Sequence, residues 1–283
     1  MKLGLVLGGG TAKGAFQVGI LKALARVYPP ESFACISASS IGIMNAYAFA
    51  TGQMEAAEDI WCNLPFTGLP GFARYVHRED YFEEMFRTIE IRESIIPDFY
   101  ITYLERASVA LHYFNIAKAD LAEHVTYLKA GVAIPPFCRS VKINGVRCID
   151  GALVDNIPIT PLLKHECDYL ITSYFDKEDY IFFTPETDRK ILRINLVDQG
   201  IIRETFKFDK EFIRSLIQKG EEVCNRKLEI WEPMISRGEL PPLQDSDERD
   251  EKKKRAHFTG DMLLNRVNAA ASKIAQYKIS DDE

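Results

Sequence analysis

The sequence predicts an α/β fold built on a central, mostly parallel sheet with helices on its faces. Three observations carry that expectation. Residues 3–7 and 33–36 are short continuous apolar runs, the form of strands buried on both faces. Each is followed by a turn of small residues and then by a mainly apolar segment, 15–27 and 43–50, which reads as a buried helix. Further strand-like stretches at 169–174 and 191–197 supply more of a sheet that the β-α-β-α start has begun.

The first run ends at Gly8-Gly9-Gly10, and Thr11-Ala12-Lys13-Gly14 leads into the helix at 15–27, where only Gln17, Lys22 and Arg26 are polar. Pro29-Pro30 stops that helix. After the second strand comes Ala38-Ser39-Ser40-Ile41-Gly42, a degenerate G-x-S-x-G elbow with Ala38 and Gly42 as the small flanking residues and Ser40 at the apex. A plain N-cap serine is the alternative reading of the same residues. Residues 54–61 read as a helix, 64–72 as an apolar loop broken by Pro and Gly, and 80–89 as a helix. Strands are expected at 99–104 and 110–114, and a helix at 120–130. Residues 141–149 form two alternating arms around Asn144-Gly145, a strong hairpin signal because both turn residues take positive φ. Asp150-Gly151-Ala152 and Asn156-Ile157-Pro158 follow directly; Asp150 could be an Asx-turn aspartate or a carboxylate with chemistry to perform. Residues 206–231 and 258–277 read as helices, separated by the mixed-charge run 245–255. The expected organisation is an α/β domain over 1–200 and a peripheral helical part over 201–283 that packs on it or extends it.

The glycine run admits several functions. A phosphate-binding P-loop fails because Lys13 precedes Gly14 and no Ser or Thr follows. A dinucleotide fingerprint fails on spacing, and the first acidic residue, Glu31, stands before the second strand rather than after it. An anion cradle of backbone N–H groups backed by Lys13 remains, as does a tight turn with no ligand. Such a cradle holds a developing oxyanion as well as a phosphate.

Composition narrows the classes further. A formal charge of −6 and a pI near 5.5 argue against nucleic acid and give no support to electrostatic recruitment to an anionic membrane. The six cysteines are scattered singly and the five histidines lack metal-ligand spacing, so neither a disulfide scaffold nor a zinc site is expected. Residues 2–7 are too short for a secretory leader, and a cytoplasmic protein is the expectation. His165 and His257 lie downstream of Ser40, as a Ser-His-Asp enzyme would need, but on position alone.

Taken together, Gly8 to Gly14, Ser40 with Asn45-Ala46 beyond it, residues 130–135, and Asp150-Gly151-Ala152 with Asn156-x-Pro158 resemble the patatin-like phospholipase family along residues 1 to about 160. The resemblance implies a three-layer α/β/α fold and a lipid acyl hydrolase with a Ser40–Asp150 dyad. Backbone N–H groups around Gly9, Gly10 and Thr11, with Lys13 nearby, would form the oxyanion hole; Ala38, Gly42, Gly14, Gly151 and Ala152 would shape the elbow and its support. It implies an acyl-ester substrate, transient contact with a membrane surface, and neither metal nor organic cofactor. The chain departs from the family pattern at Ala38, Thr11, Lys13 and Gly131 (commonly glycine, glycine, arginine and serine), and Ile41 and Ile43 are bulkier than usual. A non-catalytic lipid- or anion-binding protein on the same scaffold is the alternative, and a nucleotide-dependent enzyme the third.

Overall fold

In the computed structural model the described residues are 1–63, 88–92, 97–135, 138–175, 188–196 and 210–240. The apolar loop at 64–72, nearly all of the helix expected at 80–89, the charged run at 245–255 and the helix expected at 258–277 lie outside them. Among the described residues, β1 is Leu3–Leu7, α1 Gly14–Val27, β2 Phe33–Ala38, α2 Ile41–Ala50 and α3 Met54–Cys62. Then come β3 (Asp98–Glu105), β4 (Leu111–Asn115), α4 (Leu121–Gly131), β5 (Val141–Ile143) and β6 (Val146–Asp150). The described chain closes with α5 (Thr160–Lys164), β7 (Tyr169–Ser173), β8 (Ile191–Arg193) and α6 (Lys210–Ile235). The main shift from expectation is at the elbow: β2 runs on to Ala38 and α2 begins at Ile41, so only Ser39 and Ser40 make the turn.

β1 is the centre of the sheet, pairing in parallel with β2 and β7; β8 continues beyond β7 and β3 beyond β2, both in parallel. The remaining pairings are antiparallel, so the sheet is a parallel core with an antiparallel flank. Side chains alternate across the strands. Leu3, Leu5 and Leu7 join the larger core under α1, α2 and α6 with Phe16, Tyr47, Phe49 and Trp61, whereas Val6 and Cys35 join a smaller one with Leu162 of α5 and Tyr174. Helices thus cover both faces, as the continuous apolar strands require. α6 lies on α1 through two glycines: a Cβ at Gly19 would strike the carbonyl of Ile217, and one at Gly220 the carbonyl of Phe16.

β3 does most to position the site. β4 covers one of its edges over Tyr100–Leu104. On the other edge Cys35 to Ala38 of β2 pair with Asp98 to Ile101, and Cys148 to Asp150 of β6 pair with Glu105 to Tyr103. β2 and β6 therefore meet end to end along a single strand, approaching from opposite directions. Ala38 stands opposite Ile101 and Asp150 opposite Tyr103, two residues apart. No described helix is long and apolar enough to cross a membrane, and all six cysteines are free thiols.

Candidate active site

Ser40 leaves β2 with φ 52 and ψ −134, a left-handed conformation that a serine adopts only under constraint. The constraint is visible. Ser39 N–H donates to the Leu7 carbonyl at 3.0 Å, tying the elbow to β1, and Gly42 and Ile43 N–H donate back to Ser39 and Ser40 at 3.0 and 2.9 Å. Gly42 must lack a side chain, since a Cβ would sit 2.6 Å from the Leu7 carbonyl oxygen and 2.9 Å from that of Gly8. The Ser39 hydroxyl donates to the Asp155 carbonyl at 3.1 Å and accepts from Thr102 Oγ1 at 2.8 Å, both buried. The apex is therefore held from three sides, and Ser40 is half-buried rather than sealed.

Asp150 ends β6 with no exposed surface. Its Oδ1 accepts the Ala152 N–H at 2.8 Å, so the Asx-turn reading holds for one oxygen. Oδ2 is buried without a full hydrogen bond. The Ser40 hydroxyl lies near enough to this carboxyl to favour its charged form. Burial dominates: it pushes Asp150 up to about 7, against the opposing pull of Ser40 and the Ala152 N–H. Gly151 allows this closeness, because a Cβ there would lie 2.6 Å from Thr102 Cβ.

The glycine turn forms the adjoining wall. A Cβ on Gly9 would stand 2.5 Å from Ser40 Cβ, so this backbone passes directly beside the serine. Asn156 clamps it: Gly9 N–H donates to Asn156 Oδ1 at 2.8 Å and Asn156 Nδ2 donates to the Gly9 carbonyl at 3.3 Å. Gly9 thus departs from the expectation of an oxyanion donor, because its N–H is directed at an amide oxygen. Gly10 carries the ring of Phe175 where a Cβ would be, and its carbonyl accepts Lys13 N–H at 3.2 Å as Thr11–Lys13 forms a 3-10 turn into α1. Lys13 is nearly buried, its ammonium 5.5 Å above the Phe175 ring. Gly14 opens α1 where a side chain would press on Trp61 at 2.7 Å. Beneath the turn runs a buried polar chain: Trp61 Nε1 donates to Asn45 Oδ1 (3.0 Å), Asn45 Nδ2 to Gln17 Oε1 (3.0 Å), and Gln17 Nε2 to the Gly8 carbonyl (2.8 Å).

The expected residues therefore gather at the heads of β1, β2 and β6. The described histidines are engaged elsewhere: His112 with Glu105, His124 with Tyr47 and the Ala119 carbonyl, and His165 with Tyr100 and Asp98. His257 lies outside the described residues. Gln17 and the Asp155–Tyr113 pair were not foreseen. Tyr113 donates to Asp155 Oδ2 at 2.5 Å while Asp155 Oδ1 accepts Ile157 N–H at 3.1 Å, fixing the loop that carries Asn156.

The chain is 24% identical over 182 residues to the lysophospholipase NTE1 of Candida albicans, covering 60% of this chain and 13% of that protein. It is 27% identical over 181 residues to the lysophospholipase NTE1 of Cryptococcus neoformans, covering 58% and 10%. The match thus spans only about a tenth of the length of these curated relatives. In fold it is similar to VipD from Legionella pneumophila, with a TM-score of 0.52 and 12% identity over 81% of this chain and 67% of that one. A family model described as patatin-like phospholipase matches residues 5–163, which takes in the glycine turn, Ser40, Asp150 and Asn156, and the chain belongs to that family.

Proposed function

We propose that the protein hydrolyses acyl esters of lipids, with Ser40 as nucleophile and Asp150 as the base that takes its proton. One observation carries the reading: a strained serine and a buried, half-satisfied carboxyl meet on the same edge of β3. As Ser40 Oγ attacks the ester carbonyl, its proton passes to Asp150 Oδ2. The oxyanion falls to peptide N–H groups of Gly10 and Thr11, just past the clamped Gly9, with Lys13 adding positive charge to that corner. Collapse expels the alcohol, which takes the proton from Asp150. Water then attacks the acyl-enzyme, gives a proton to Asp150, and releases the fatty acid as the proton returns to Ser40. Family membership supports the substrate class, and the names of the lysophospholipase relatives point towards lysophospholipids.

The test is covalent labelling by a fluorophosphonate together with an ester-hydrolysis screen across chain lengths and phospholipids. Labelling that disappears in Ser40→Ala, with hydrolysis lost in Asp150→Asn, is the expected result. Undiminished labelling of the folded Ser40→Ala protein would remove Ser40 from the chemistry. Hydrolysis that survives Asp150→Asn would remove the dyad.

A further inference from the structure

We propose that the tips of the β3–β4 and β5–β6 hairpins together form a docking site for an anionic phospholipid surface. This deepens the reading of the protein as a lipid hydrolase and rests on it for its purpose, but not for its measurement. β6 runs antiparallel to β3, so it starts beyond the end of β3 and runs inward to Asp150. Val146 stands four residues out from Asp150, about 13 Å along an extended strand. The two tips adjoin, since Arg106 N–H donates to the Arg147 carbonyl at 2.8 Å. They therefore project from the same end of the sheet as Ser40.

Two features of these tips work against folding. Lys142 and Arg147 are directly opposite each other across the hairpin and both are exposed, a like-charge pair that an isolated hairpin would avoid. Val109 holds φ 58, a left-handed conformation that is a genuine outlier for a β-branched side chain, and it is 44% exposed. A glycine would satisfy that turn without strain, yet the chain sets an apolar side chain there. Val146, 41% exposed beside the Asn144-Gly145 turn, sets a second. Residues 106–119 and 138–149 contain no acidic residue. Glu105, at the base of the first tip, is occupied by the Ser108 hydroxyl at 2.5 Å and by His112 at 3.0 Å. Two apolar tips among cations match an interface of acyl chains under anionic headgroups.

The chain as a whole is acidic, at −6, but charges beyond about 10 Å are screened in ordinary salt, so an approaching surface meets the sign of the tips. The full chain carrying Ser40→Ala, which leaves vesicles unhydrolysed, is to be sedimented with phosphatidylcholine vesicles with and without phosphatidylserine. Binding is expected only with phosphatidylserine, and is expected to fall as salt rises. Each cation at such a surface contributes roughly fivefold in affinity, so Arg106→Glu, Lys142→Glu and Arg147→Glu together should weaken binding by roughly 10²-fold or more. Val109→Gly is the discriminating variant: it should raise the melting temperature by removing strain and still weaken vesicle binding. In the Ser40 background both sets should leave hydrolysis of a soluble short-chain ester within about twofold, since neither touches the dyad.

The proposal is overturned by anionic-vesicle binding that the folded triple variant retains, by its absence in the unaltered chain, or by tighter binding to duplex nucleic acid than to vesicles. A protein that binds these vesicles but cleaves no ester would instead strike the hydrolase reading alone.

Discussion

Asp150 keeps its proton up to about pH 7 because burial opposes its charge more strongly than Ser40 and the Ala152 N–H favour it. Two outcomes follow with definite sign. As the proposed base it must be ionised, so hydrolysis should rise with pH through about 7 and then level, and a rate profile on a soluble ester checks this. Stability runs the other way. The folded protein holds this proton from the unfolded value of 3.8 up to about 7, so the contribution is fully present below the lower value and is lost as pH rises through the upper one. Urea midpoints at pH 5 and pH 8 should therefore fall less in Asp150→Asn than in the unaltered protein. Asn156 supplies a third expectation. Asn156→Ala frees the Gly9 peptide and should lower kcat by roughly 10²-fold through misplacement of the adjoining wall. Asn156→Asp, which keeps an acceptor for the Gly9 N–H, should recover part of the loss. Ser40 and Asp150 could be singled out in the sequence because each sits in a short run of small residues, and Asn156 because Asn156-x-Pro158 follows directly on Asp150-Gly151-Ala152. Gln17 was not: one glutamine in an apolar helix carries no mark of the carbonyl it holds nine residues away.

At the scale of elements, two departures from the family pattern explain each other. A Cβ on Gly131, at the end of α4, would collide with Ile43 Cδ1 and lie 3.1 Å from the Thr102 carbonyl oxygen. Ile43, on α2, takes the room that a side chain at position 131 would need. Gly131→Ser should cost roughly 1–3 kcal/mol in chemical denaturation, and most of that should return when Ile43→Ala is added. The order of strands and helices up to β6 was legible because each run is either continuously apolar or periodic. Pairing was not. Nothing in the apolar alternation of residues 99–104 says that this strand would carry β4 on one edge and both β2 and β6 on the other, because sheet partners are chosen by packing at long range.

For the whole molecule, α6 is a structural member of the described body, beginning 60 residues beyond Asp150. Its closest approach to α1 is glycine against backbone at Gly19 and Gly220, with Ile213, Leu216, Ile217 and Cys224 buried in the same large core as Phe16 and Leu24. Gly220→Val forces two helix backbones apart and should lower stability by 3 kcal/mol or more, roughly the upper end for overpacking, read from the thermal midpoint. Of the helix expected at 206–231, the described part from Lys210 onward is helical, and α1 supplies a surface that its apolar side covers. The glycine pair was not legible as an interface, since a lone glycine within each helix looks only like a weak position.

Because β2 and β6 share one edge of β3, serine and carboxyl come into register only when the hairpin of β5 and β6 has docked. A slip of one residue in that pairing would turn Asp150 to the opposite side of the sheet. Residues 1–100, elbow included, can thus be in place without the proposed pair having been brought together. If the proposed dyad does the chemistry, turnover should begin only once β6 has paired with β3, so its onset during refolding should report when that strand takes its place.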